Sequence, residues 1–352
     1  MSQDQDLKTL NLYPIDYPFE TLYSRITASP PKLVLDPDFQ RKYKWDKNGW
    51  ERSSKFIESC LMRIPLPSCY FAEYDDGRHM VIDGVQRLTS ILLFFQDKYP
   101  LEGLSAFKEL EGKKFSQIGD YKSELESTTI RCIILRKENP KPLIREIFSR
   151  LNQGAVKLSD QEVRHAIYPG NFDNLLSELA CLEPVKNFGL GESGARVKNS
   201  LEGEEQVLRY FTLKGNLDSY QDKLSKYLDE YMISKQNVTL EEVEEMKTEF
   251  IDTLQKCTLL FDNDIFIDTT KQRRRQSMVY YDLLMHSFSN IDKKTLLNNK
   301  ERIRDKFVEL CQLEEFQRAI NSGVQNKSSI IRRRQLWKDL LAVAIKTDNW
   351  EL

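Results

Sequence analysis

Over the first 170 residues the apolar positions change period several times, whereas beyond them they recur almost throughout at helical spacing. Phe56, Ile57, Cys60, Leu61 and Ile64 share one face of a helix predicted over 52–64, which Pro65-Leu66-Pro67 stops. Two short apolar runs follow, 69–72 and 79–82, and Asp75-Asp76-Gly77 between them predicts a hairpin. Val85, Leu88, Ile91, Leu92 and Phe95 resume the helical period directly after Asp83-Gly84. The run 128–135 reads as another strand of the same sheet, and Pro140 and Pro142 open a helix with Leu143, Ile144, Ile147, Phe148 and Leu151 inward. Further on, helices are expected over 172–182, 203–213, 217–232, 240–261, 276–288, 300–322 and 328–346, with 189–194 a loop. The pattern predicts an α+β chain: a small mixed sheet with helices over 1–170, then an all-α region over 171–352.

Composition adds limits. A chain of 352 residues with 40% hydrophobic and 11% aromatic content buries a sizeable core and is not disordered. The longest apolar run, 91–95, is far too short to cross a bilayer, and the N-terminus lacks signal-peptide regions, so a cytoplasmic protein without membrane contact is expected. Cysteines 60, 69, 132, 181, 257 and 311 form no CxxC pair and read as reduced core residues. The 52 basic and 54 acidic residues nearly cancel, but Arg273-Arg274-Arg275 and Arg332-Arg333-Arg334 are local basic bunches. Either could line a DNA backbone; a solvated helix face is the alternative.

Candidate chemistry centres on Asp83-Gly84-Val85-Gln86-Arg87, a strand running through an Asp-Gly turn into a helix. Helix starts carry free amides and the positive end of the dipole, so phosphate suits this junction. Arg87 could clamp phosphate oxygens, Asp83 could bind Mg²⁺ or orient water, Gln86 could position that water or a base edge, and Gly84 lets a ligand approach the backbone. The alternative is a turn that merely caps a helix. The three histidines, His79, His165 and His286, stand singly, with no His-Glu-x-x-His and no pair at helical spacing. His79 reads as half exposed, His165 as a hydrogen-bond partner of Glu162, and His286 as a satisfied core histidine.

Four further segments accompany the turn in order: Phe39-Gln40-Arg41-Lys42-Tyr43-Lys44-Trp45, then 55–67, then Ile147 to Gly154 with Leu158-Ser159-x-x-Glu162, and later Glu204 to Arg209. Together they resemble the N-terminal domain of GmrSD-type modification-dependent restriction proteins, strongly from about Leu33 to Tyr210 and loosely after that. The resemblance implies a fold like that of ParB and sulfiredoxin, with nucleotide bound at the turn and coupled to attack on modified phage DNA. It assigns Asp83, Gln86 and Arg87 to catalysis, with Asp83 on Mg²⁺, and Gln40, Arg41, Gly84, Thr89, Asn152 and Gly154 to nucleotide binding. The family carries Asp-Gly-Gln-Gln-Arg where this chain has Val85 in place of the first Gln, which leaves turnover less secured than binding. No HNH-like nuclease motif accompanies it, so cleavage is expected from a separate nuclease or defence-system subunit.

The leading expectation is therefore an NTP-binding, NTP-hydrolysing phage-defence component acting on DNA, with Mg²⁺ and GTP, ATP or CTP not distinguished. A non-hydrolysing DNA-binding or regulatory module and a metal-dependent nickase are the alternatives, and a homo-oligomer stays open.

Overall fold

A computed structural model describes residues 10–35, 49–151, 159–189, 201–272 and 274–345. The chain divides into two compact units, Met1–Leu158 and Ser159–Leu352. In the first, strands β1 (Leu12–Pro18), β2 (Leu33–Val34), β3 (Cys69–Glu73), β4 (His79–Asp83) and β5 (Thr129–Leu135) form a sheet in the order β1-β5-β3-β4-β2. Its pairings are mixed: β1 with β5 and β3 with β4 are antiparallel, β3 with β5 and β2 with β4 parallel. Helices α1 (Phe19–Thr27), α2 (Glu51–Leu61), α3 (Val85–Phe95), α4 (Tyr121–Ser127) and α5 (Lys141–Leu151) accompany it. The fold is α+β, as the apolar pattern predicts.

Phe71, Val81, Cys132 and Ile134 of the sheet join Phe19, Leu22, Ile57, Leu88, Ile91 and Phe94 of the helices in one core. Each large side chain so buried contributes about 1.5–3 kcal/mol. The predicted hairpin is present, its turn closed by Tyr74 N–H to Arg78 O at 2.8 Å and Gly77 N–H to Tyr74 O at 3.0 Å. Strand β1 was not foreseen. It is mostly exposed and holds Pro14 and Pro18, so it shows no clear alternation, and proline is tolerated because β1 lies at the sheet edge. The helix expected to reach residue 64 stops at Leu61. Arg63 adopts φ +56°, Arg63 N–H bonds Cys60 O and Ile64 N–H bonds Ser59 O, each at 3.0 Å, and Ile64 is left exposed.

Glu58 of α2 organises the segment after α3. Its buried Oε1 accepts from the backbone N–H of Ser105 at 2.7 Å, Ala106 at 2.6 Å and Phe107 at 3.2 Å. Burial alone raises its pKa, but these amides outweigh burial and hold the carboxyl below its ordinary value. Glu58→Gln is expected to cost about 1–3 kcal/mol near neutral pH. A depressed folded pKa stabilises above the unfolded value, about 4.3, and the gain is lost as pH falls through the folded one. Urea unfolding at about pH 7 and about pH 3 checks this, since the gap between wild type and variant must shrink at acid pH.

The second unit is helical: α6 (Asp160–Ile167), α7 (Asn171–Ala180), α8 (Glu183–Lys186), α9 (Glu202–Lys214), α10 (Leu224–Ser234), α11 (Leu240–Phe261), α12 (Met278–Ser289), α13 (Lys293–Asn298), α14 (Lys300–Gln312), α15 (Glu314–Asn321) and α16 (Lys327–Ile345). Ser159 and Glu162 form a reciprocal capping box at the start of α6. The helix expected over 217–232 begins only at Leu224, and the one expected over 300–322 breaks at Leu313, which is extended. Arg164 of α6 is buried and uses its guanidinium fully. Nε donates to Asp229 Oδ1 at 2.8 Å, Nη1 to Glu205 Oε2 at 2.9 Å and Gln161 Oε1 at 3.2 Å, and Nη2 to Ser225 Oγ at 2.9 Å and Ser225 O at 3.3 Å. Five of the six cysteines are buried, but Cys181 is exposed, against the reading of all six as core. Among the described residues no helix is long and apolar enough to cross a membrane.

Candidate functional site

The strand-to-helix junction of the first unit has a geometry that its local sequence explains. Tyr70 pairs with Asp83 while Phe71 pairs with Val81, so Ile82 is the extra residue of a bulge immediately before the turn. Bulges bend a strand end and re-aim the residue that follows. Gly84 then takes φ +104°, ψ 3° and starts α3 with no side-chain cap. A Cβ here would lie 2.4 Å from Cys69 Sγ, so glycine is required by both space and conformation. Backbone thus approaches the sheet closely, and the N-cap residue of α3 offers no side chain to cap its first turn.

Asp83 and Arg87 meet at this junction. Arg87 Nη2 donates to Asp83 Oδ2 at 2.8 Å and to Ser68 O at 3.2 Å, and Nη1 donates to Pro67 O. The Arg87 side chain is 13% exposed and that of Asp83 45%. The arginine is therefore a fixed positive group that braces the segment before β3 against the helix start, and the carboxylate faces solvent beside it. Gln86 is half-buried in the same turn, and its carbonyl accepts from Ser90 Oγ at 2.8 Å. Val85 packs against the core with its side chain partly buried. Thr89 is 3% exposed, and its hydroxyl faces the interior, one helical turn past Val85. Gln40, Arg41, Asn152 and Gly154 lie outside the described residues.

Beneath the turn, Cys69 of β3 is opposite Cys132 of β5 across the parallel pairing, and both are buried. Hydrogen bonding to Cys132 lowers the Cys69 thiol pKa, burial opposes this, and the Arg87 charge adds to the lowering. Their adjacency is a property of the sheet and leaves no local signal in the sequence.

Of the three histidines, His79 differs from expectation. His79 is buried rather than half exposed: Arg25 Nη2 donates to its Nδ1 at 3.0 Å, and burial, reinforced by that arginine, lowers its pKa. His165 Nδ1 lies 2.9 Å from Asp173 Oδ2, and Glu162, the partner expected from sequence, forms the capping box with Ser159. His286 is satisfied as expected, its Nδ1 3.1 Å from Lys214 O, with burial pushing its pKa down to about 3.

The basic bunches are not continuous patches. Three consecutive helical residues point about 100° apart, so Arg332, Arg333 and Arg334 of α16 diverge. Arg332 is exposed and paired with Glu315, while Arg333 is 4% exposed and donates to Ala319 O at 2.7 Å and Val324 O at 2.9 Å. Arg334 donates to Leu213 O and, at 3.4 Å, to Gly215 O. Arg274 and Arg275 are exposed, with Arg274 3.4 Å from Asp264, and Arg273 lies outside the described residues.

Residues 19–169 match a family model described as GmrSD restriction endonuclease, N-terminal domain. No curated protein and no solved structure matches the chain. The matched stretch holds the whole strand-to-helix junction and extends through α6 of the second unit.

Proposed function

We propose, from the premise that residues 19–169 are a GmrSD restriction endonuclease N-terminal domain, that this restriction-system component binds a nucleoside triphosphate at the Asp83–Arg87 junction and couples its occupancy to action on DNA. The observation that carries the reading is the left-handed Gly84 start of α3, whose N-cap residue has no side chain to cap the helix dipole, next to a braced arginine and an exposed carboxylate. Phosphate oxygens rest on the first turn of α3, and Arg87, held by Pro67, Ser68 and Asp83, supplies a positive charge that needs no reorganisation. One exposed carboxylate beside the phosphates suits Mg²⁺, which keeps most of its waters and takes few protein ligands. Asp83 would hold it, and the ion would neutralise phosphate charge.

Val85 supports a second reading, binding without turnover. It lends its side chain to the core and presents no donor or acceptor to an attacking water. Among the described residues of the two basic bunches, Arg274, Arg275 and Arg332 are exposed and could meet a phosphate backbone, Arg274 and Arg332 by exchanging their carboxylate partners for it. Cutting is assigned to a nuclease partner, in keeping with the restriction-system family of residues 19–169.

Calorimetric titration of the protein with GTP, ATP and CTP in Mg²⁺, alongside phosphate release, tests both readings. Selective binding that weakens at least about tenfold in Arg87→Ala and Asp83→Asn, both still folded by circular dichroism, supports the site. Unchanged affinity in those variants, or no binding by wild type, rejects it. Phosphate release decides between turnover and a switch that only binds.

A further inference from the structure

The helical unit gathers three potential metal ligands from three helices. His165 stands near the end of α6, Asp173 in the first turn of α7 and Glu204 in the first turn of α9. One ligand atom from each lies within 4.8 Å of the other two. His165 Nδ1 is 2.9 Å from Asp173 Oδ2 and 3.9 Å from Glu204 Oε2. Oxygens and nitrogens bonded to a tetrahedral ion at about 2.0 Å stand roughly 3.3 Å apart, within this spread. Ser177 Oγ donates to Glu204 Oε1 at 2.7 Å, which orients that carboxylate and keeps Oε2 on the side of the imidazole.

Electrostatics favours a cation here. The Asp173 and Glu204 side chains are only 3% and 7% exposed, while that of His165 is 27% exposed. Two carboxylates held together away from water repel, and a divalent ion between them would offset that repulsion. A divalent ion balances both and accepts a neutral imidazole nitrogen as its third ligand. The half-exposed histidine gives it a way in. One nitrogen with two oxygens suits Zn²⁺, Mn²⁺ or Co²⁺ better than Ca²⁺ or Mg²⁺, which prefer oxygen alone.

We propose that His165, Asp173 and Glu204 bind one divalent transition-metal ion that fastens α6, α7 and α9 together. The site is separate from the phosphate junction: it lies in the other unit and does not depend on nucleotide binding. Its first ligand closes the family-matched stretch and the other two lie beyond it. Bound metal therefore stabilises the helical unit where the matched segment enters it.

The test uses the full chain, stripped with chelator and titrated with Co²⁺, followed by its visible ligand-field absorption, and with Zn²⁺ by calorimetry. Cys181→Ser in the background removes the exposed thiol as a competing ligand. One equivalent is expected to bind and to raise the melting temperature, and His165→Ala or Glu204→Gln weakens binding by more than about a hundredfold. Asp173→Asn, nearly isosteric, serves if either of those fails to fold. Absence of stoichiometric binding by the wild-type chain, or equal binding by folded variants, overturns the proposal.

Discussion

Arg164→Met lowers the stability of the helical unit by about 3–5 kcal/mol, the range observed when one member of a buried ion pair is removed. Methionine keeps much of the aliphatic volume, so the loss reports the polar network rather than a cavity. Asp229, 7% exposed at its side chain, loses the guanidinium at 2.8 Å, and Ser225 and Gln161 lose their donor. Because α6, α9 and α10 all contribute to this network, the effect is expected in the cooperative unfolding of the whole unit. Adding Asp229→Asn to Arg164→Met should recover part of the loss, since the buried charge that made the single change expensive is then gone. Urea unfolding of the two variants measures both quantities. A single-variant loss below about 1 kcal/mol would show that the network orders these helices without stabilising them.

Gly84→Ala is expected to cost the first unit about 2–5 kcal/mol, in two parts. An L-residue at φ +104° pays about 1–2 kcal/mol in backbone strain, and a Cβ placed 2.4 Å from Cys69 Sγ adds about 1–3 kcal/mol of overpacking. The parts can be separated. Cys69→Ala removes the sulfur and leaves the milder contacts to residue 69 Cβ at 3.2 Å and Arg87 Nη2 at 3.5 Å, so the cost of Gly84→Ala measured in the Cys69→Ala background should fall towards the strain alone. If the glycine replacement costs the same in both backgrounds, the sulfur is not what excludes a side chain there. The same variant carries functional information, because a shifted turn moves Asp83 and the start of α3 together.

Particular residues show what could be read before the tertiary structure. The helix after Asp83-Gly84 was legible because an Asp-Gly turn followed by apolar residues at spacing three and four has few other local solutions. The hairpin around Gly77 was legible for the same reason. Strand β1 was not, since an exposed edge strand with two prolines has neither alternation nor a continuous apolar run. Leu313 ends α14 by turning extended, and neither Gly nor Pro marks the place.

Period, turn chemistry and the order of motifs are properties of neighbouring residues. By themselves they determined the α+β class, most helices of the second unit, the strand-to-helix junction at Asp83-Gly84 and the family resemblance that the match over 19–169 bears out. Partner choice across long sequence distances is not local, and packing decided it. The sheet set Cys69 beside Cys132 and braced Arg87 on Pro67 and Ser68. Helix phase sent Arg333 inward from what reads as a basic run. The meeting of α6, α7 and α9 turned three isolated acid and imidazole groups into one cluster, because only a folded core can hold like charges that close.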